Sequence, residues 1–173
     1  MKKFFAILMI AVLALTCTTA FAATYIDRDR DLTFEYDEAL FEITMDDETD
    51  DELLVILSGK KSDWGETYIK FYLADLEDGE KFPTLADFND MAAEANIEVT
   101  QGEWNGFTDV IMYTFPGEGA SESVFIVPIY DDDGDKEVED ILTVTVGVTD
   151  MEDSMERDDA ISAVLDSMKV LDD

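Results

Sequence analysis

Hydrophobic and polar positions alternate over much of the chain, and the breaks in that alternation mark its elements. Leu32, Phe34 and Tyr36 share one face of a short segment, and Phe41, Ile43 and Met45 share one face of the next. The link Asp37-Glu38-Ala39-Leu40 is tight, so the pair reads as a hairpin. Asp46 to Glu52 is a run of acids and Thr and reads as a loop. Leu53 to Leu57 is an aliphatic run short enough for a buried strand. In Thr67 to Leu76, Ile69, Phe71 and Leu73 point one way, and Tyr68, Tyr72 and Ala74 the other. Segments 97–101, 107–115 and 123–130 are further strands, parted by Gly102 to Gly106 and by Pro116 to Gly119. Pro128 lacks an amide N–H, which suggests an edge or a bulge there. Leu142, Val144, Val146 and Val148 alternate with Thr143, Thr145 and Gly147, the mark of one buried and one more polar face.

Two stretches change period. Leu85, Phe88, Met91, Ala92 and Ala95 recur at three- and four-residue spacing, a helical stripe of about three turns. Thr84 followed by Asp87 is a capping-box start with Asp in place of Glu, and Asn96 is a stop. Met155 to Met168 is a second helix with Ala160, Ile161, Val164, Leu165 and Met168 as its stripe and Ser154 as its cap. Short connections between strands argue for an α+β fold, an antiparallel sheet of about seven strands with two main helices packed on it.

The opening residues differ from all of this. Lys2 and Lys3 precede an unbroken apolar run from Phe4 to Leu15, and polar residues lead to Ala20-Phe21-Ala22. That is the three-part form of a secretory signal peptide cleaved after Ala22. Twelve apolar residues are too few to span a bilayer comfortably, which takes about 20. Cys17, the only cysteine, gives an alternative, a lipoprotein acylated there; Ala14-Leu15-Thr16 is a poor match to the residues such a site prefers. The reading is therefore signal peptide 1–22, flexible lead-in 23–30 and one globular domain 31–173. No thiol remains after Ala22, so the exported form would be stabilised by packing, without disulfides.

Charge narrows the function. The chain carries 43 Asp and Glu, 11 Lys and Arg and no His, a net charge of -32. Cleavage removes two lysines and no acid, leaving the remainder more acidic still. Without histidine there is no Ser-His-Asp or Cys-His unit, no imidazole metal ligand and no histidine switch. So negative a field repels nucleic-acid phosphates and anionic lipid surfaces. No second apolar run is long enough to span a membrane, and a monomer is expected.

Three places invite chemistry. Asp131-Asp132-Asp133-Gly134-Asp135 resembles a calcium loop, since hard cations want several oxygens on a sharp turn. Set in EF-hand register on Gly134, it has Ile129 where Asp is required and Asp140 where Glu is required. It reads as a solvated hairpin tip, with Asp131, Asp133 and Asp135 at most a weak calcium site and no other cofactor implied. Asp46 to Glu52 reads as a solvated acidic loop. The turns around Trp64 and Trp104 are the third place, since an exposed Trp often marks a partner patch; the competing reading has each ring fold back to cover the sheet edge. The adjacent pair Lys60 and Lys61 would add a small positive spot on a negative body. A carboxylate pair of the glycosidase kind needs only acids, but nothing singles out two of the 43.

The pattern resembles the PsbP-like family, which includes the extrinsic subunit of photosystem II and many exported bacterial proteins. Leu32-Thr33-Phe34-Glu35-Tyr36 looks like its opening strand, although Asp37 and Phe41 stand where the family carries Pro and Trp. Thr143 to Val148 looks like its last strand, and Ala160 to Leu171, with Ser167-Met168-Lys169, like its closing helix and tail. The resemblance implies an antiparallel sheet between helices, an α/β/α sandwich, and a non-enzymatic role in binding or assembly.

The sequence thus reads as an exported, acidic, non-catalytic binding or accessory domain whose partner is a cationic protein or a divalent cation. The alternative is a carboxylate-based hydrolase of cell-wall sugars; a third possibility is that the acids hold hydration in high salt. Secreted from a bacterial host with its own leader, the protein should begin at Ala23 by intact mass; a lipid-modified product starting at Cys17 would establish the acylated form instead.

Overall fold

The computed structural model describes residues 22–27, 32–49, 51–76, 79–117, 119–130, 137–149 and 154–170. The strands are β1 (Ala22–Ile26), β2 (Leu32–Asp37), β3 (Phe41–Glu48), β4 (Glu52–Gly59), β5 (Thr67–Asp75), β6 (Val99–Trp104), β7 (Phe107–Gly117), β8 (Ala120–Tyr130), β9 (Val138–Thr149) and β10 (Lys169–Val170). A 3-10 turn, Leu85–Phe88, leads into helix α1 (Asn89–Ala95), and helix α2 spans Met155–Ser167. The fold is α+β, as the alternation predicts. Seven strands form one antiparallel sheet in the order β3-β4-β5-β9-β8-β7-β6, and β1-β2-β10 form a second, smaller sheet.

The main sheet consists of two meanders, β3 to β5 and β6 to β9, joined where β5 pairs with β9 from Thr67↔Val148 to Asp75↔Asp140. Register places Val55, Phe71, Val144, Phe125 and Met112 in one row on its inner face. Leu53, Leu73, Leu142 and Val127 form a neighbouring row. These rows meet β2 and α2. Phe34 stacks on Phe71 at 4.5 Å between ring centres, and Tyr25 stacks on Phe34 at 4.8 Å. Ile161 and Val164 of α2, with Met168 just beyond its end, join the same core. Stripping a buried Phe to Ala in such a layer costs about 3–5 kcal/mol, so the ring stack is a major tie between the sheets.

The expected first hairpin does not form. β2 pairs with β1 and β10, whereas β3 pairs with β4. Leu32 and Phe34 are fully buried against the inner face, so β2 lies over the main sheet and residues 38–40 carry the chain between layers. The lead-in also differs: Ala22–Ile26 is a strand, ordered by its ladder with β2 and by Tyr25, whose hydroxyl donates to Asp46 at 2.9 Å. The acidic run is partly strand as well. Asp46, Asp47 and Glu48 pair with Val55, Leu54 and Leu53 at the free edge of the main sheet, where their charge opposes pairing with another chain. Pro128 lies in central β8, but pairing with β7 ends at Ile126 and the ladder with β9 shifts beyond Ile129, so the proline occupies a local edge beside a bulge.

Caps follow the sequence. Asp87 accepts from the amide and hydroxyl of Thr84 at 2.7 and 2.8 Å, and Asn96 closes α1 in the left-handed region with φ 52°. The first helical turn is 3-10, and no residue of it or of α1 is fully buried, so the apolar stripe here only half covers the sheet. Ser154 caps α2 by accepting from Arg157 N at 3.2 Å. At the other end Ser167 Oγ accepts from Glu35 N at 2.8 Å, which fastens the helix to β2.

Asn105 and Gly106 turn β6 into β7 with φ of 49° and 86°, a hairpin geometry that suits Asn-Gly. Asn105 also donates its side-chain amide to Leu165 O at 2.7 Å and to Met168 O at 3.3 Å. One residue thus makes a turn and satisfies carbonyls at the end of α2. Asn105→Asp tolerates the same backbone but sets a carboxylate against those carbonyls. It should lower unfolding free energy by about 1–3 kcal/mol in urea titration, more than Asn105→Gly, which removes the side chain alone.

Candidate functional site

The outer face of the main sheet is covered unevenly. Residues 79–98 cross toward β6 on its β7 side, where Phe88 packs on Tyr113 at 5.8 Å. Ile111 and Val124, on the outer face there, are buried yet stand apart from the inner core. Over β4, β5 and β9 the outer residues Ile56, Tyr68, Lys70 and Tyr72 remain half-buried. Two clefts open at this end and meet at Tyr68. One, of about 320 Å³, lies between Tyr68, Phe115, Pro116 and Glu122. The other, of about 580 Å³, lies between Tyr68, Ile56, Ser58, Glu66 and Lys70.

A single cross-strand row builds the centre of this region. Tyr68 on β5 pairs with Gly147 on β9, and Gly147 pairs with Glu122 on β8. The Tyr68 ring passes directly over Gly147: a Cβ added there would lie 2.1 Å from Tyr68 Cε1. Only glycine leaves this path open, and the ring uses it to reach the third strand, where Tyr68 Oη donates to Glu122 Oε2 at 2.6 Å. The bond to Glu122, followed by burial, pushes the phenol up to about 12, because a carboxylate beside the hydroxyl opposes its ionisation.

Four residues along, the arrangement recurs in another direction. Tyr72 Oη donates to Glu52 Oε1 at 2.5 Å, and Lys70 Nζ lies 6.0 Å from the Tyr72 ring centre. β5 thus carries two tyrosines whose hydroxyls are held by acids on opposite sides, with Lys70 between them.

The residues singled out by sequence sit elsewhere. Trp64 is fully buried against Phe41, at 5.7 Å, and its indole Nε1 has no hydrogen-bond partner among the described residues. Trp104 is half-buried and stacked on Phe125 at 4.3 Å, on the inner face. Neither ring joins an exposed aromatic patch, because each turn folds its Trp back onto the sheet. Lys60 Nζ donates to Glu38 O at 2.8 Å. Lys61 is ion-paired with Glu156 and lies 5.5 Å over the Trp64 ring, so this pair holds the turn to α2. Asp131, Asp133 and Asp135 lie outside the described residues. Among the described residues no three His, Cys, Asp or Glu come together as a metal site, and no helix is long and apolar enough to cross a membrane.

Sequence reasoning missed Tyr68, Gly147 and Glu122 as a unit. The available signal was Gly147, a glycine inside an otherwise unbroken strand pattern, which often marks close approach of another group. Comparison with known proteins finds no matching family model, no matching curated protein and no matching solved structure.

Gly147→Ala should expel the Tyr68 ring and break its bond to Glu122. One tyrosine should then titrate near its ordinary 10.0 instead of about 12 in ultraviolet difference spectra. The folded value lies above the unfolded one, so the contribution of this bond to stability is whole below pH 10.0 and is lost as pH rises through about 12. An unchanged titration would show that the ring keeps its partner by another path.

Proposed function

We propose that this chain is an exported, non-catalytic binding domain that receives a cationic partner on the outer face of its main sheet. The observation that carries the reading is the pair of clefts meeting at Tyr68, on the part of the sheet that residues 79–98 leave uncovered. Their volumes suit a small ligand or a few side chains. Glu66 and Glu122 border them, and the chain around them carries a net charge of -32. A cationic partner is drawn to such a surface and oriented by it.

The leader-like segment from Lys2 to Ala22 supports export. The PsbP-like reading belongs to the same proposal. It is supported by an antiparallel sheet with α2 on its inner side and Phe88, at the entrance to α1, on its outer side. It is supported too by the tail, where Ser167 binds Glu35, Met168 is buried and Lys169 pairs with Thr33.

Calorimetry with a hexa-arginine peptide at low ionic strength tests the reading. Saturable binding that weakens as salt rises is expected, with amide shift changes confined to β4, β5, β8 and β9. Silence at low salt, or shift changes spread over every acidic segment, would overturn it.

A further inference from the structure

Deepening that reading, and resting on it, we propose that Tyr68 and Glu122 together form the receptor for one arginine side chain of the cationic partner. The protein's own cations show the kind of site involved. Lys70 lies at the Tyr72 ring, whose hydroxyl is held by Glu52. Lys61 lies over the Trp64 ring and is paired with Glu156. In both places a cation sits on an aromatic face with a carboxylate nearby, where ring quadrupole and negative charge both attract it.

Tyr68 and Glu122 make the same kind of site. The hydroxyl end of the ring passes over Gly147, and Tyr68 lines both clefts, so the side chain is open to a ligand entering either one. Its hydroxyl is tied to Glu122 Oε2 at 2.6 Å, which fixes ring and carboxylate relative to each other before any ligand arrives. Among the described residues no lysine or arginine of the chain lies over this ring. The chain has 11 basic residues against 43 acidic ones, so charge complementarity calls for a cation from outside.

Guanidinium fits better than ammonium. It is flat, stacks on a tyrosine face and presents paired donors in the plane of a carboxylate at the ring's edge. Phe115 and Pro116 line the cleft on the Glu122 side and offer apolar surface to the arginine stem. Lys70 lines the other cleft and lies at the Tyr72 ring, so the incoming cation enters beside Phe115.

Hexa-arginine titrations of variants test this. Glu122→Gln keeps an acceptor for the Tyr68 hydroxyl and removes the charge; affinity should fall about tenfold. Tyr68→Ala should lose roughly threefold to thirtyfold. Glu103→Gln removes one exposed charge at the far hairpin and should change affinity less than twofold. Thermal melts confirm that each variant is folded. If the unaltered protein does not bind hexa-arginine, the parent reading fails and this site with it. If it binds while Glu122→Gln and Tyr68→Ala match Glu103→Gln, this site is wrong and the parent reading stands. If cellohexaose binds and needs Tyr68 while hexa-arginine does not, the ring is a sugar platform and the arginine receptor is overturned.

Discussion

The pairing of β5 with β9 is the contact on which the rest of the structure depends. It is the seam between two meanders that otherwise share only the layers packed on them, and it fixes both faces of the sheet together. On the inner face it sets Phe71 beside Val144 under the ring of Phe34. On the outer face it sets Tyr68 over Gly147 and within reach of Glu122. A slip of one residue would send every side chain of β5 to the other side relative to its neighbours. Phe71 would lose its place in the core, and Tyr68 would meet a valine where it now crosses a glycine. Core and cleft are thus two consequences of one register.

Charge works within that frame. Several acids serve particular structural tasks: Asp87 at a helix start, Asp46 beneath Tyr25, Glu52 and Glu122 at the tyrosines of β5. Others lie at the free edge on β3, where like charge discourages a second chain from extending the sheet. Some of the few cations are spent internally. Lys60 and Lys61 hold the β4–β5 turn to residues 38 and 156, and Lys70 lies over a ring. The acid excess thus combines local anchoring with a field that reaches beyond the surface.

Much of the fold was legible because burial imposes a period. The alternation in Thr67 to Leu76 and Leu142 to Val148 gave strands and faces, and Thr84, Asn96 and Ser154 marked helix ends. The hairpin of Leu32 to Met45 failed because alternation reports a buried face without saying which sheet supplies the neighbour. Phe34 was buried by a layer above, through Phe71, and no local pattern distinguishes that from burial by an adjacent strand. The lead-in at Ala23 to Ile26 failed for the converse reason: a short segment without an alternating pattern of its own becomes a strand when a partner ladder and a stacked tyrosine order it. The tryptophan turns left two readings open, because turn residues set the backbone direction and leave the ring free either to fold inward or to stay exposed.

By itself the sequence determined the α+β class, most strand and helix limits, the acidic field and the exclusion of histidine chemistry. These follow from composition and from side-chain periods of two and about 3.6, which are properties of neighbours along the chain. Only the tertiary structure decided which strands share a sheet, that Trp64 lies in the core, and that Tyr68, Gly147 and Glu122 form one row. Those depend on residues 54 and 25 positions apart brought side by side by a ladder. The energy that selects such a register comes from the whole buried face, and no short stretch of the chain carries it.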